Sequence, residues 1–117
     1  MIVQTTRINR AGGVQYLVRH LLDKTDENER IEILAGDRIA LHDAHALASA
    51  KGCRYSIRHL SISPEREMTP GQLSEFLRSV DAEFHIGPNR PRLIVRHIKN
   101  GRSHFHLAVA EVDPGTL

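Results

Sequence analysis

Apolar residues follow two different periods along the 117-residue chain, and each period predicts one type of element. Three segments place apolar side chains three and four positions apart, which is typical of helices with one buried face. These segments are the stretch with Val14, Leu17, Val18 and Leu21, the Ala-rich residues 39–50, and residues 69–84, which end before Gly87-Pro88. Strand-like runs cover residues 2–8, 31–34, 54–63, 93–99 and 102–112, and the polar residues 23–30 are predicted to form a loop.

Two short motifs fix boundaries in the second half of the chain. Thr69-Pro70-Gly71-Gln72 is a helix start, in which Thr69 is the N-cap and Gln72 completes a capping box. Asn100-Gly101 lies between two strand-like runs, and both of its residues accept the positive φ angles of a two-residue turn. Residues 93–112 are therefore predicted to form an antiparallel hairpin.

The order of the elements predicts the fold class. Strand, helix, strand, helix, strand and helix are followed by two further strands, which indicates an α/β (α+β) sandwich. We expect a mixed or antiparallel central sheet of about five strands, covered on one side by about three helices. The chain shows no internal repeat and no low-complexity tract, so residues 1–117 are interpreted as a single domain.

The predicted hairpin brings three histidines to one face of the sheet. Pairing outward from Asn100-Gly101 sets His97 opposite His104 and Val95 opposite His106. Their Cβ atoms would lie about 5 to 7 Å apart, so three imidazoles could close on one divalent ion and leave positions open for other ligands. The alternative is three independent solvent-facing histidines, and a one-residue slip of register would move His97 to the other face.

Positive charge is concentrated around these histidines. The net charge of the whole chain is only +2, but residues 88–110 contain five basic residues and no acidic one. Such a field beside a metal suits a polyanion, and a divalent ion on neutral imidazoles suits a phosphodiester. The candidate nucleic-acid-binding residues are Arg92, Arg96, Lys99 and Arg102, for which a solvated strand edge is the alternative.

Several classes of protein are excluded by what the sequence lacks. No apolar run is long enough for a transmembrane helix, and the first residues lack the apolar stretch of a signal peptide. The single cysteine, Cys53, cannot form an internal disulfide, so a cytoplasmic location is expected. No P-loop, dinucleotide-binding glycine pattern or Cys-x-x-Cys motif is present, so we expect no small-molecule cofactor. Since no apolar span is present either, we expect no membrane partner.

The motif His97-x6-His104-x-His106, followed by apolar residues, resembles the three-histidine motif of the relaxase/mobilisation nuclease family. This family comprises the conjugative-plasmid members of the HUH endonucleases. Two further segments fall in the family's order, namely Val14-Gln15-Tyr16-Leu17 on the first helix and residues 59–65 before the third helix. The resemblance covers nearly the whole chain, and the histidine spacing is its specific part.

The resemblance implies metal-dependent nicking and strand transfer of single-stranded DNA, in bacterial conjugation or plasmid mobilisation. It implies that Tyr16 attacks the DNA and forms a link to the 5′-phosphate, while His97, His104 and His106 hold Mg²⁺, Mn²⁺ or Zn²⁺. Accessory or transfer-complex proteins are further implied partners. Independently, Tyr16 lies about 200° around its helix from Val14, away from the apolar stripe. Tyr55 is the second candidate nucleophile.

Two departures from the family pattern open an alternative function. Lys99 stands where the family commonly has an acidic residue, and the chain ends eleven residues after His106, where relaxase domains usually continue. We therefore expect a short or truncated domain. The alternative is a relaxase-like domain that binds nucleic acid or a partner without catalysis. A cupin-like metal-dependent hydrolase is disfavoured because cupins are almost entirely β.

The remaining histidines carry weaker expectations. His59 shares a strand face with Ser61 and Ser63, but the sequence alone does not tell where its strand lies relative to the hairpin. His20 and His85 are expected at the surface. His42 and His45 are expected on a solvated helix face.

Overall fold

The computed structural model describes residues 2–23, 30–83, 85–87 and 89–113. Five strands form one sheet: β1 (Ile2–Asn9), β2 (Arg30–Ala35), β3 (Tyr55–Ser63), β4 (Arg92–Lys99) and β5 (Arg102–Ala110). The helices are α1 (Gln15–Val18), which continues into a π-helical turn (Arg19–Asp23), α2 (Arg38–Lys51) and α3 (Pro70–Glu83). This architecture confirms the predicted α+β fold class. Of the predicted loop 23–30, residues 24–29 lie outside the described part of the chain.

The strand order is β1-β3-β5-β4-β2, and every neighbouring pair is antiparallel. β5 is therefore the central strand, with β3 and β4 on either side. Asn100 and Gly101 have φ angles of 53° and 72°, as the hairpin turn requires. The predicted register is confirmed, since His97 pairs with His104 and Val95 with His106.

Helices cover both faces of the sheet, so the expectation that they cover only one face is wrong. α1, its π-helical turn and α2 pack on the face that carries Leu93 and Val95. α3 packs on the opposite face, against Ile94 and Leu107. The physical reason is that successive residues of the central strands point to opposite sides and are apolar on both, so each side needs a covering layer.

The start of α3 forms the predicted capping box. The Gln72 backbone N–H donates to Thr69 Oγ1 (3.1 Å), and the Thr69 N–H donates to Gln72 Oε1 (3.0 Å). These two bonds satisfy backbone donors that have no partner within the helix. Phe84 and Pro88, which the sequence places at the end of this helix, lie outside the described residues. None of the helices described is long and apolar enough to cross a membrane.

Gly36 ends β2 at a point where the chain approaches β4 closely. Its φ angle is +75°, and a Cβ atom there would overlap the carbonyl oxygen of Arg92. Both the backbone conformation and the lack of space therefore require glycine.

We expect Gly36→Ala to lower the free energy of unfolding by roughly 2–5 kcal/mol. This range combines about 1–2 kcal/mol for the positive φ angle with about 1–3 kcal/mol for overpacking. Gly52→Ala is the matched control, because Gly52 has a φ angle of +67° but no atom within 4 Å of the added Cβ. Urea denaturation measures both variants, and equal losses would contradict the close approach at Gly36.

Candidate functional site

The hairpin places the three predicted ligands on one face of the sheet, beside α1 and its π-helical turn. The rings of His97 and His106 lie 4.6 Å apart, and both side chains are buried, with exposures of 4% and 8%. His104 is half-buried nearer the turn, and its Nδ1 is hydrogen-bonded to Ser63 Oγ on β3 at 3.1 Å. The β4–β5 register thus sets the three predicted residues on one face of the sheet.

Two further histidines join this site. β3 pairs with β5 so that His59 is a diagonal neighbour of His106, with ring centroids 5.1 Å apart. His20, on the π-helical turn, lies above the sheet, 5.5 Å from the ring of His106 and 6.1 Å from that of His97. We call His20, His59, His97 and His106 the histidine cluster.

The sequence alone indicated only part of the placement of His59 and His20. Alternation along β3 put His59 on one face with Ser61 and Ser63, but only the pairing of β3 with β5 makes this the histidine face. His20 was expected at the surface, and it is half-buried because α1 packs on this side of the sheet.

Each predicted ligand uses one ring nitrogen in a hydrogen bond to the protein. His97 Nε2 donates to the carbonyl oxygen of Leu21 at 2.7 Å, and His106 Nδ1 is bonded to His59 Nε2 at 2.9 Å. With the bond from His104 to Ser63, all three rings are held through one nitrogen. Metal-ligating histidines are typically oriented in this way, with the second nitrogen left for the ion. In donor chemistry, though not in the arrangement of the rings, this set fits a divalent cation.

The rings are not arranged around a common point. Within the described residues, no group of three His, Cys, Asp or Glu side chains forms a ready metal-binding arrangement. His106 is instead hydrogen-bonded to His59 at 2.9 Å, and its ring lies 4.6 Å from that of His97. Binding an ion therefore requires side-chain rotations within the cluster.

Burial keeps the imidazoles of His59 and His106 neutral. The pKa of His106 is lowered to about 3, first by loss of hydration and then by the neighbouring histidines, with His59 foremost. Burial, followed by His20 and His97, lowers the pKa of His59 to about 4. With these pKa values both rings are neutral at pH 7, and neutral imidazole is the form that ligates metals.

Tyr16 stands at the rim of the histidine cluster. Its side chain is 75% exposed, on the side of α1 away from the apolar stripe, as predicted. Its ring stacks parallel to that of His20, one helical turn further on, with centroids 6.3 Å apart. Tyr55, the second candidate nucleophile, instead lies under the guanidinium of Arg7, whose Cζ is 4.1 Å from the ring centroid.

The four basic residues predicted to bind nucleic acid divide between the two faces. Arg92 pairs with Asp81, and Arg96 pairs with Glu67, on the face covered by α3. Lys99 and Arg102 are exposed and face each other across the hairpin on the histidine side. Only this second pair is placed where it could act together with the histidines.

A cavity of about 430 Å³ opens beside His104. Its walls include Ser63, two basic residues, Arg66 and Arg102, and the acidic residues Glu65 and Glu67. This volume falls within the range of small-ligand sites in proteins.

The chain matches no family model, no curated protein and no solved structure. Its resemblance to the relaxases therefore stays a prediction from the histidine motif.

We expect the metal-free protein to lose stability as the pH falls from 7 to 4. The unfolded chain protonates His59 and His106 near pH 6.5, whereas the folded chain does so only at about pH 4 and 3. Between its unfolded and folded pKa values, each of these two histidines lowers the free energy of unfolding by at most about 1.4 kcal/mol for every unit by which the pH falls.

Urea denaturation at several pH values measures this dependence. His59→Gln removes one of the two histidines and should flatten the slope, whereas His42→Gln, on an exposed position of α2, should leave it unchanged. A His59→Gln slope equal to that of the wild type would contradict the assignment.

Proposed function

We propose that this chain is a relaxase-type domain that nicks single-stranded DNA and transfers the strand through a tyrosine–5′-phosphate link. The observation that supports this proposal best is the β4–β5 register, which sets His97, His104 and His106 on one face of the sheet. The stacking of Tyr16 on His20 adds a nucleophile candidate at the edge of the same site.

His97, His104 and His106 would hold the divalent cation, with Mg²⁺, Mn²⁺ and Zn²⁺ as candidates. Imidazole nitrogens suit Zn²⁺ best, whereas Mg²⁺ and Mn²⁺ are usually held with oxygen ligands in addition. Because neutral imidazoles add no negative charge, a cation bound there would supply positive charge to a non-bridging phosphate oxygen.

Tyr16 would carry out the covalent step. Its phenol oxygen would form a bond to phosphorus while the bond from phosphorus to the 3′ oxygen breaks. The phenol loses its proton to solvent and the 3′ oxygen gains one, so the products are a 3′-hydroxyl and a 5′-phosphotyrosine. The 75% exposure of Tyr16 gives a DNA strand access to this oxygen.

The hairpin end would contribute to holding the strand. Lys99 and Arg102 carry positive charge toward the histidine side, where they could neutralise backbone phosphates. The cavity beside His104 offers space for a nucleotide next to the predicted ligands. Arg92 and Arg96 are not part of this proposed surface, because their guanidinium groups pair with carboxylates on the other face.

A domain that binds single-stranded DNA without cutting it is the second candidate. Lys99 favours it, since a cation two residues after His97 would repel a metal ion or contact phosphate directly. Such a domain would use the same basic hairpin end but would need neither Tyr16 nor a bound cation.

We expect a covalent protein–DNA adduct when the wild-type chain is incubated with Mn²⁺ and single-stranded oligonucleotides of randomised sequence. Denaturing gels and mass spectrometry detect the adduct. Tyr16→Phe should abolish it because the attacking oxygen is lost, and Tyr55→Phe should retain it because Tyr55 packs against Arg7.

Other outcomes of this experiment separate the candidates. An adduct that persists in Tyr16→Phe would contradict the assigned nucleophile. Salt-sensitive binding without any adduct would favour the non-catalytic domain.

A further inference from the structure

We propose that His59 is a positioning residue, which accepts a hydrogen bond from His106 Nδ1–H and so keeps His106 Nε2 available for the cation. This inference rests on the proposed metal centre. It assigns a role to a side chain on a third strand, outside the three-histidine motif.

The direction of one hydrogen bond decides whether His106 can be a ligand. His59 Nε2 and His106 Nδ1 are 2.9 Å apart, and a neutral imidazole has one N–H and one lone pair. If His106 donates, its Nε2 holds a lone pair that a cation can use. If His59 donates instead, the proton of His106 is on Nε2 and ligation there is blocked.

The packing around His59 aims its ring at His106. Its centroid lies 5.1 Å from that of His106 and 6.3 Å from that of His20, and its Nε2 is the atom within hydrogen-bond distance of His106 Nδ1. A neutral His59 with its proton on Nδ1 offers the Nε2 lone pair to His106. A cation on His106 Nε2 and the bond to His59 therefore select the same tautomer of His106.

The sheet leaves room for this contact. His59 pairs with Ala108 on the neighbouring strand, and the methyl side chain of Ala108 is fully buried on the same face. Diagonal neighbours on adjacent strands lie within reach of aromatic side chains, and the small Ala108 opposite His59 leaves space for the His59 ring to turn toward His106.

His97 provides an internal comparison. Its Nε2–H donates to the carbonyl of Leu21, an obligatory acceptor, so backbone geometry fixes its tautomer. The hydrogen bond of His106 Nδ1 joins it to the imidazole of His59 rather than to a backbone carbonyl. Its tautomer therefore depends on a side chain and is open to mutation.

Two substitutions of His59 separate acceptance from other roles. His59→Gln keeps an acceptor, because the amide oxygen reaches about as far as the imidazole Nε2. His59→Leu keeps bulk and removes the acceptor. His42→Gln is the matched control on the exposed face of α2.

Nitrogen-15 NMR of the metal-free protein reads the tautomer of His106, and calorimetry with Zn²⁺ reads the affinity. We expect the Nδ1–H tautomer in the wild type and in His59→Gln, and a mixture in His59→Leu. Loss of such an orienting partner typically weakens metal binding 10–100-fold, so we expect this loss in His59→Leu and recovery of most of the affinity in His59→Gln.

The outcomes distinguish this inference from the proposed function. Wild-type protein that binds no Zn²⁺ would overturn the metal centre and the inference together. Wild-type affinity retained by His59→Leu would overturn only the inference. A His59→Gln variant as weak as His59→Leu would identify His59 as a ligand or a packing residue, and would also overturn it. If His59→Leu does not fold, the tautomer in His59→Gln still decides the question.

Discussion

The antiparallel pairing of β4 with β5 across Asn100-Gly101 is the constraint on which the site depends. Side chains alternate between the faces of a sheet, so a slip of one residue would send His97 to the side covered by α3. The turn resists such a slip, because Asn100 and Gly101 both adopt positive φ angles that few other pairs accept. The apolar residues that precede His97 on β4 and follow His106 on β5 hold the same register from the core.

The histidine cluster lies where the apolar core ends. Along this face of β5, Ala110 and Ala108 belong to the core beneath α1 and α2, and His106 and His104 follow toward the turn. α1 and its π-helical turn cover this boundary, and the turn places His20 above the rings of the buried His97 and His106. Burial lowers the pKa of His59 and His106 and so keeps these two rings neutral, and exposed Tyr16 lies on the solvent side.

The sequence predicted what depends on local pairing and left out what depends on strand order. The hairpin register, the capping box at Thr69 and the outward side of Tyr16 follow from neighbours in the chain, and the structure agrees with each. His59 needed the pairing of β3 with β5, a contact between residues 47 positions apart. The second helical layer and the carboxylate partners of Arg96 likewise depend on tertiary contacts that alternation does not encode.

The most direct measurement is a crystal structure of the wild-type protein grown with Co²⁺ or Zn²⁺, in which anomalous scattering locates the ion. We predict one ion among His97, His104 and His106, at metal–nitrogen distances of about 2.0–2.2 Å, with His59 hydrogen-bonded to Nδ1 of His106. An ion bound elsewhere, or no ion under conditions that saturate other histidine sites, would contradict the metal centre and the nuclease function proposed from it.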